Sequence, residues 1–134
     1  MKLLFLSLIL TLAFGILVQE TSAQTAQTVN VGVGSQKKAS RSKISVKFVS
    51  VIEDSRCPPD VQCIQAGNAR VKVKVSKPGS KPLVFEVNTN LGEKGAVYEG
   101  YAIYLTKLSP VPETTARMSQ NTYKATFSVS RLSR

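Results

Sequence analysis

Along residues 43–51, apolar Ile44, Val46 and Phe48 alternate with Ser45 and Lys47, and the run continues through Val51. A period of two puts successive side chains on opposite faces of an extended chain, so this segment predicts a half-buried β-strand. The pattern recurs at Val71, Val73 and Val75, interleaved with Lys72 and Lys74, and again at Leu83, Phe85 and Val87. Between those two runs, Lys77-Pro78-Gly79-Ser80-Lys81 carries the chemistry of a turn, so residues 69–88 predict a β-hairpin.

A short first strand is expected where Val29, Val31 and Val33 alternate with Asn30 and Gly32, followed by a basic, Ser-rich connection over residues 35–42. A β-branched and aromatic run over residues 97–108 predicts one long strand, ended by Pro110 and Pro112. The last strand has Tyr123, Ala125, Phe127 and Val129 on one face and Lys124, Thr126, Ser128 and Ser130 on the other. Six to seven strands and no helix emerge. Strands with one apolar face each bury those faces against one another, so the expected fold is all-β: a small antiparallel, immunoglobulin-like β-sandwich, with a partly open β-barrel as the alternative.

The first residues break the pattern. Lys2 is followed by roughly 15 apolar residues, and Thr21 and Ala23 then supply small side chains, the parts of a secretory signal peptide. A membrane-spanning helix takes about 20 apolar residues, and Glu20 closes this run early. The expectation is cleavage near Ala23, a secreted or periplasmic location and no transmembrane segment in the mature chain. No cysteine follows the run to carry a lipid anchor. The chain therefore divides into a signal peptide (1–23), an N-terminal segment with a short strand (24–42) and a β-sandwich domain (43–134), expected to be monomeric. Cleavage removes one charge of each sign, so the net charge of +10 falls on about 111 residues, the size of one domain.

Cys57 and Cys63 are the two cysteines, and both lie in the exported portion, where thiols are usually oxidised. Pro58-Pro59 between them supplies a turn that brings their Cα atoms within bonding distance. A disulfide between Cys57 and Cys63 is expected, closing a short loop.

That loop lies in the least ordinary stretch of the chain, Glu53-Asp54-Ser55-Arg56-Cys57-Pro58-Pro59-Asp60-Val61-Gln62-Cys63-Ile64-Gln65-Ala66-Gly67-Asn68-Ala69. It resembles the signature of an uncharacterised family of small secreted or lipid-anchored bacterial β-rich proteins, in which a strand runs into Glu-Asp-Ser-Arg-Cys-Pro, a second cysteine follows and Ala-Gly leads to the next strand. That family commonly carries Trp where this chain has Gln65. The resemblance implies a secreted β-sandwich with a disulfide-closed loop and no catalytic assignment. Read from the residues, Asp54 and Ser55 suit a turn, Arg56 has Glu53, Asp54 and Asp60 as possible partners, and Gly67 suits a positive φ. Asp54, Arg56, Asp60 and Gln65 are the candidate interaction residues of the loop.

The chain contains no histidine, which removes the commonest general base and the commonest metal ligand together. Ser-His-Asp, Cys-His and His-based zinc chemistry are excluded within one chain. The mature chain has only Glu53, Asp54, Asp60, Glu86, Glu93, Glu99 and Glu113 as acids. Calcium wants six to eight oxygens, and Arg56 with the overall positive charge opposes such a site on the loop. No catalytic residue, metal site or cofactor is expected.

Arg70, Lys72 and Lys74 recur at i, i+2 and i+4, so a strand projects them from one sheet face, opposite the valines. If the strand over residues 43–51 lies alongside, Lys47 joins them. A face of this kind attracts anions. The function expected is a non-catalytic secreted or cell-envelope binding module with a disulfide-pinned loop and a basic face formed by Lys47, Arg70, Lys72 and Lys74. Its partners would be an anionic envelope component, an acidic polysaccharide or an acidic protein, with no nucleic acid. The alternative is a secreted hydrolase (protease) inhibitor that presents residues 56–63 to an active-site cleft.

Overall fold

In the computed structural model, which describes residues 25–115 and 117–133, the alternating runs form strands whose apolar rows meet face to face. The signal peptide expected over residues 1–23, with its cleavage near Ala23, lies outside the described residues. The strands are β1 (Gln27–Gly32), β2 (Gln36–Lys38), β3 (Ser45–Asp54), β4 (Ala69–Ser76), β5 (Leu83–Asn88), β6 (Gly95–Tyr98), β7 (Tyr101–Ser109) and β8 (Lys124–Arg131), with one 3-10 turn at Gln120–Thr122.

They assemble into two antiparallel four-stranded sheets, ordered β1-β8-β7-β6 and β2-β3-β4-β5. Consecutive strands stay neighbours around the circuit and β1 returns beside β8, an up-and-down order that differs from the Greek key of immunoglobulin domains. The ladders stop between β1 and β2 and between β5 and β6, so the fold is a small β-sandwich and not a closed barrel.

The core is made of the residues that alternation marks. Val46, Phe48, Val71, Val73, Val75 and Val87 of one sheet are fully buried and face Val31, Ile103, Phe127 and Val129 of the other. At its centre the rings of Phe48 and Phe127 meet edge to face with centroids 6.5 Å apart. Each such side chain contributes about 1.5–3 kcal/mol by leaving water.

Two elements differ from expectation. The connection over residues 35–42 contains the three-residue edge strand β2, fully exposed and therefore without an apolar period. The run over residues 97–108 is two strands, β6 and β7, folded back on each other at Glu99 and Gly100, whose φ angles are +50° and +77°. Two positive φ values make a tight hairpin turn, and glutamate is an uncommon occupant of the first position. Tyr98 and Tyr123 are buried, whereas Tyr104 is half exposed and lies over Gly95, where a Cβ would overlap its ring.

The sandwich has two chemically distinct ends. One carries the disulfide loop, the β5–β6 connection and the long β7–β8 connection. The opposite end carries the β2–β3 and β4–β5 connections, the β6–β7 turn and the end of β8.

Candidate functional site

The disulfide loop leaves β3 and enters β4, and its neck is stitched by local hydrogen bonds. Ser55 donates from its backbone N and its Oγ to the Asn68 carbonyl (2.8 and 2.9 Å), Asn68 N returns a bond to Ser55 Oγ (3.2 Å), and Cys57 N donates to the Ala66 carbonyl (3.0 Å). Glycine is required at position 67, where φ is +68° and any Cβ would overlap the Ser55 carbonyl. Beyond this neck the Cys57–Cys63 disulfide is formed, with Cα atoms 5.9 Å apart.

Asp54 and Arg56, offered by the sequence as contact residues, turn inward. Arg56 forms a two-pronged contact with Asp54, Nε to Oδ1 at 2.8 Å and Nη2 to Oδ2 at 2.7 Å. The same guanidinium donates to the carbonyls of Leu108 and Pro110, both at 2.7 Å. Tyr123 donates its hydroxyl to Asp54 Oδ2 at 2.9 Å. The side chains are only 11% (Arg56) and 7% (Asp54) exposed, so this is a nearly dry cluster that ties the loop to the end of β7. Burial alone would raise the Asp54 pKa, but hydrogen bonds from Arg56 and Tyr123 and the Arg56 charge outweigh it and hold the carboxyl below its ordinary value. Burial first, then the bond to Asp54 and its charge, push Tyr123 up to about 12. A carboxylate held ionised beside a phenol held protonated is poised for structure rather than proton transfer.

Asp60 and Gln65 do not join this cluster. Asp60 is exposed and accepts a hydrogen bond from Thr114 Oγ1, pinning the loop tip to the β7–β8 connection, while Gln65 is exposed to solvent. Ile64 beside it is fully exposed at 103%, with Val61 half exposed, so the outer surface of the loop carries apolar side chains among the polar Asp60, Gln62 and Gln65. The three acids that could have gathered a cation diverge: Glu53 faces Arg70, Asp54 is bound to Arg56 and Asp60 to Thr114. Among the described residues no group of three or more His, Cys, Asp or Glu side chains is placed to hold a metal ion.

Two side chains with no marked sequence pattern organise this end. The buried Asn68 accepts at Oδ1 from the backbone N of Asn90 (3.0 Å) and Leu91 (3.2 Å), and donates from Nδ2 to Asn88 Oδ1 (2.7 Å). The Gln120 amide clamps Val51, accepting from its N at 3.0 Å and donating to its O at 2.8 Å, at an irregular rung of β3. Beside it lies a small open cavity of about 310 Å³ lined by Asp54, Pro112, Met118, Gln120 and Tyr123. The only hint in sequence is Asn-rich spacing, Asn68 after Gly67 and Asn88-Thr89-Asn90.

The basic residues do share one outer face. In register, Lys47 of β3 lies opposite Lys74 of β4, while Lys72 stands between Ser50 of β3 and Glu86 of β5, and Arg70 between Glu53 and Asn88. Arg70 is drawn into two loose ion pairs, 3.6 Å to Glu53 and 3.7 Å to Glu86. Among the described residues, Lys47, Lys72 and Lys74 have no carboxylate within ion-pair distance. The field is therefore graded: compensated at the disulfide end and positive toward the other. Lys38 of β2, paired to Ser45, extends it at the edge.

The chain matches no protein-family model, no curated protein and no solved structure. Among the described residues no helix is long and apolar enough to cross a membrane.

Proposed function

We propose that this protein is a non-catalytic, exported binding module that takes a polyanion on the outer face of the β2-β3-β4-β5 sheet. The observation that carries this reading is the direct cross-strand opposition of Lys47 and Lys74, neither with a carboxylate partner among the described residues. Like charges facing each other across a ladder are destabilising, and a bound anion relieves that repulsion. The signal-like N-terminus and the formed disulfide support an oxidising, exported setting. The absence of histidine from the sequence and the inward use of Asp54 and Arg56 favour binding over catalysis.

The reading is tested by retention on an immobilised sulfated polysaccharide beside a neutral one. Lys47→Glu combined with Lys74→Glu is expected to abolish retention at physiological salt without lowering the melting temperature. Equal retention of the variant would refute the assignment of the face.

Ile64 favours a second reading. A fully exposed isoleucine on a disulfide-closed, internally braced loop is a preorganised apolar prong, the kind of segment an inhibitor presents to a hydrolase cleft. Inhibition of a protease panel that disappears in Ile64→Asp would support it, and a panel with no inhibited member would dismiss it.

A further inference from the structure

At the end of the sandwich opposite the disulfide loop lies an open cleft of about 1100 Å³. Segments from both sheets line it: the β2–β3 connection, the residue after β4, the β6–β7 turn and the end of β8. They bring Arg41, Lys43, Lys77 and Arg131 to one cavity from widely separated parts of the chain. Among the described residues, the one carboxylate on its lining is Glu99, which takes Lys77 at 3.9 Å, and Arg41, Lys43 and Arg131 have no carboxylate within ion-pair distance.

The walls are held by bonds that do not consume these charges. Arg41 N donates to Gln27 Oε1 at 2.6 Å, Leu132 N donates to the Gly100 carbonyl at 2.9 Å, and Ile44 N donates to the buried Ser42 Oγ at 3.2 Å. Tyr98 OH donates to the Lys81 carbonyl at 3.0 Å, locking the β6–β7 hairpin to the β4–β5 connection. Glu99 occupies a left-handed φ that asparagine or glycine would adopt with less strain, and its side chain reaches Lys77 at the cleft.

A single small ion would be clasped by a few donors in a narrow concavity. Here the cations stand around a space as large as a ligand pocket, interspersed with the hydroxyls of Ser40, Ser42 and Ser133. That arrangement suits a ligand with several anionic groups spread over a polar, hydroxyl-rich frame. Single-stranded nucleic acid wants a series of aromatic platforms, and among the described residues Tyr101 is the one aromatic side chain lining the cleft.

We infer that this cleft is a binding site for a sulfated or carboxylated oligosaccharide, whose charged groups are taken by Arg41, Lys43, Lys77 and Arg131. The inference rests on the reading of the protein as a polyanion binder but places a discrete site away from the sheet face. The two are contiguous, since Lys43 precedes Lys47 by four residues, roughly 13 Å along an extended strand. A long chain therefore occupies both, and a short one the cleft.

The test is calorimetric titration with a heparin-derived hexasaccharide, its desulfated counterpart, inorganic phosphate and a single-stranded oligonucleotide of matched charge. Arg41→Ala combined with Arg131→Ala removes two exposed charges, and an unchanged melting curve confirms that the variant folds. The expected result is hexasaccharide affinity reduced about tenfold or more in this variant, the loss of charge-assisted contacts, and changed by less than about twofold in Lys47→Ala/Lys74→Ala. Hexasaccharide binding that falls only in the sheet-face variant overturns the cleft while leaving the polyanion reading intact. Failure of both long and short sulfated chains to bind defeats both. Phosphate or the oligonucleotide binding as tightly as the hexasaccharide overturns the saccharide assignment.

Discussion

Asp54, Arg56 and Tyr123 show how a polar cluster is stable in a nearly dry setting. The guanidinium has four acceptor contacts among Asp54, Leu108 and Pro110, and the carboxylate is bonded on both oxygens. Removing one partner leaves the other buried and uncompensated, so Asp54→Ala is expected to cost about 3 kcal/mol by denaturant unfolding. Tyr123→Phe deletes one bond to a charged group and should cost about 1.5 kcal/mol. Asp54 titrates lower in the folded state than its ordinary 3.8, so its contribution is complete above that pH and is lost as pH falls through the folded-state value. Tyr123 titrates higher, at about 12 against an ordinary 10.0, so its contribution is complete below pH 10.0 and fades toward pH 12. The stability gap between wild type and Tyr123→Phe is therefore expected to shrink across that alkaline window in pH-resolved thermal melts. A constant gap would contradict the cluster.

At the scale of elements, the apolar runs dictate β1, β3, β4, β5 and β8, because each has one face that must leave water. The disulfide was legible as well, from two cysteines flanking two prolines. The β6–β7 hairpin was not, because Glu99 carries no turn signature and its φ of +50° is imposed by the pairing of Tyr98 with Tyr101. Glu99→Asn should accordingly stabilise the domain by about 0.5 kcal/mol or more, read as a raised melting temperature. The inward turn of Asp54 and Arg56 was equally hidden: their partners Leu108, Pro110 and Tyr123 lie more than fifty residues away. Sequence proximity offered Glu53, Asp54 and Asp60 as partners of Arg56 without choosing among them, and left the direction of the pair open. In the loop itself, Cys57→Ser with Cys63→Ser removes a short cross-link and should cost about 2 kcal/mol on the chain-entropy model. The neck bonds to Asn68 keep the loop in place, so polyanion binding by that variant is expected to persist.

Across the whole molecule, charge and shape are segregated. The disulfide end is braced by neutral amides and one internal ion pair, and its solvent-facing side chains include Val61, Ile64, Leu91 and Val111. The opposite end and the adjoining sheet face hold cations without carboxylate partners among the described residues, at Arg41, Lys43, Lys47, Lys72, Lys74 and Arg131. Alternation in the sequence puts Arg70, Lys72 and Lys74 on one sheet face, Lys47 joins them through the pairing of β3 with β4, and Arg70 is the one drawn into ion pairs. The cleft could not be read in advance because its cations come from three separate places, the β2–β3 connection, the residue after β4 and the end of β8. The most direct measurement of polyanion binding is the affinity for a long heparin chain as a function of salt, for wild type and for Lys47→Ala/Lys74→Ala. Binding by counterion release predicts a linear fall of log K with log salt, and a slope shallower by about 1.5 in the variant. A slope identical in the two proteins, or an affinity indifferent to salt, would contradict it.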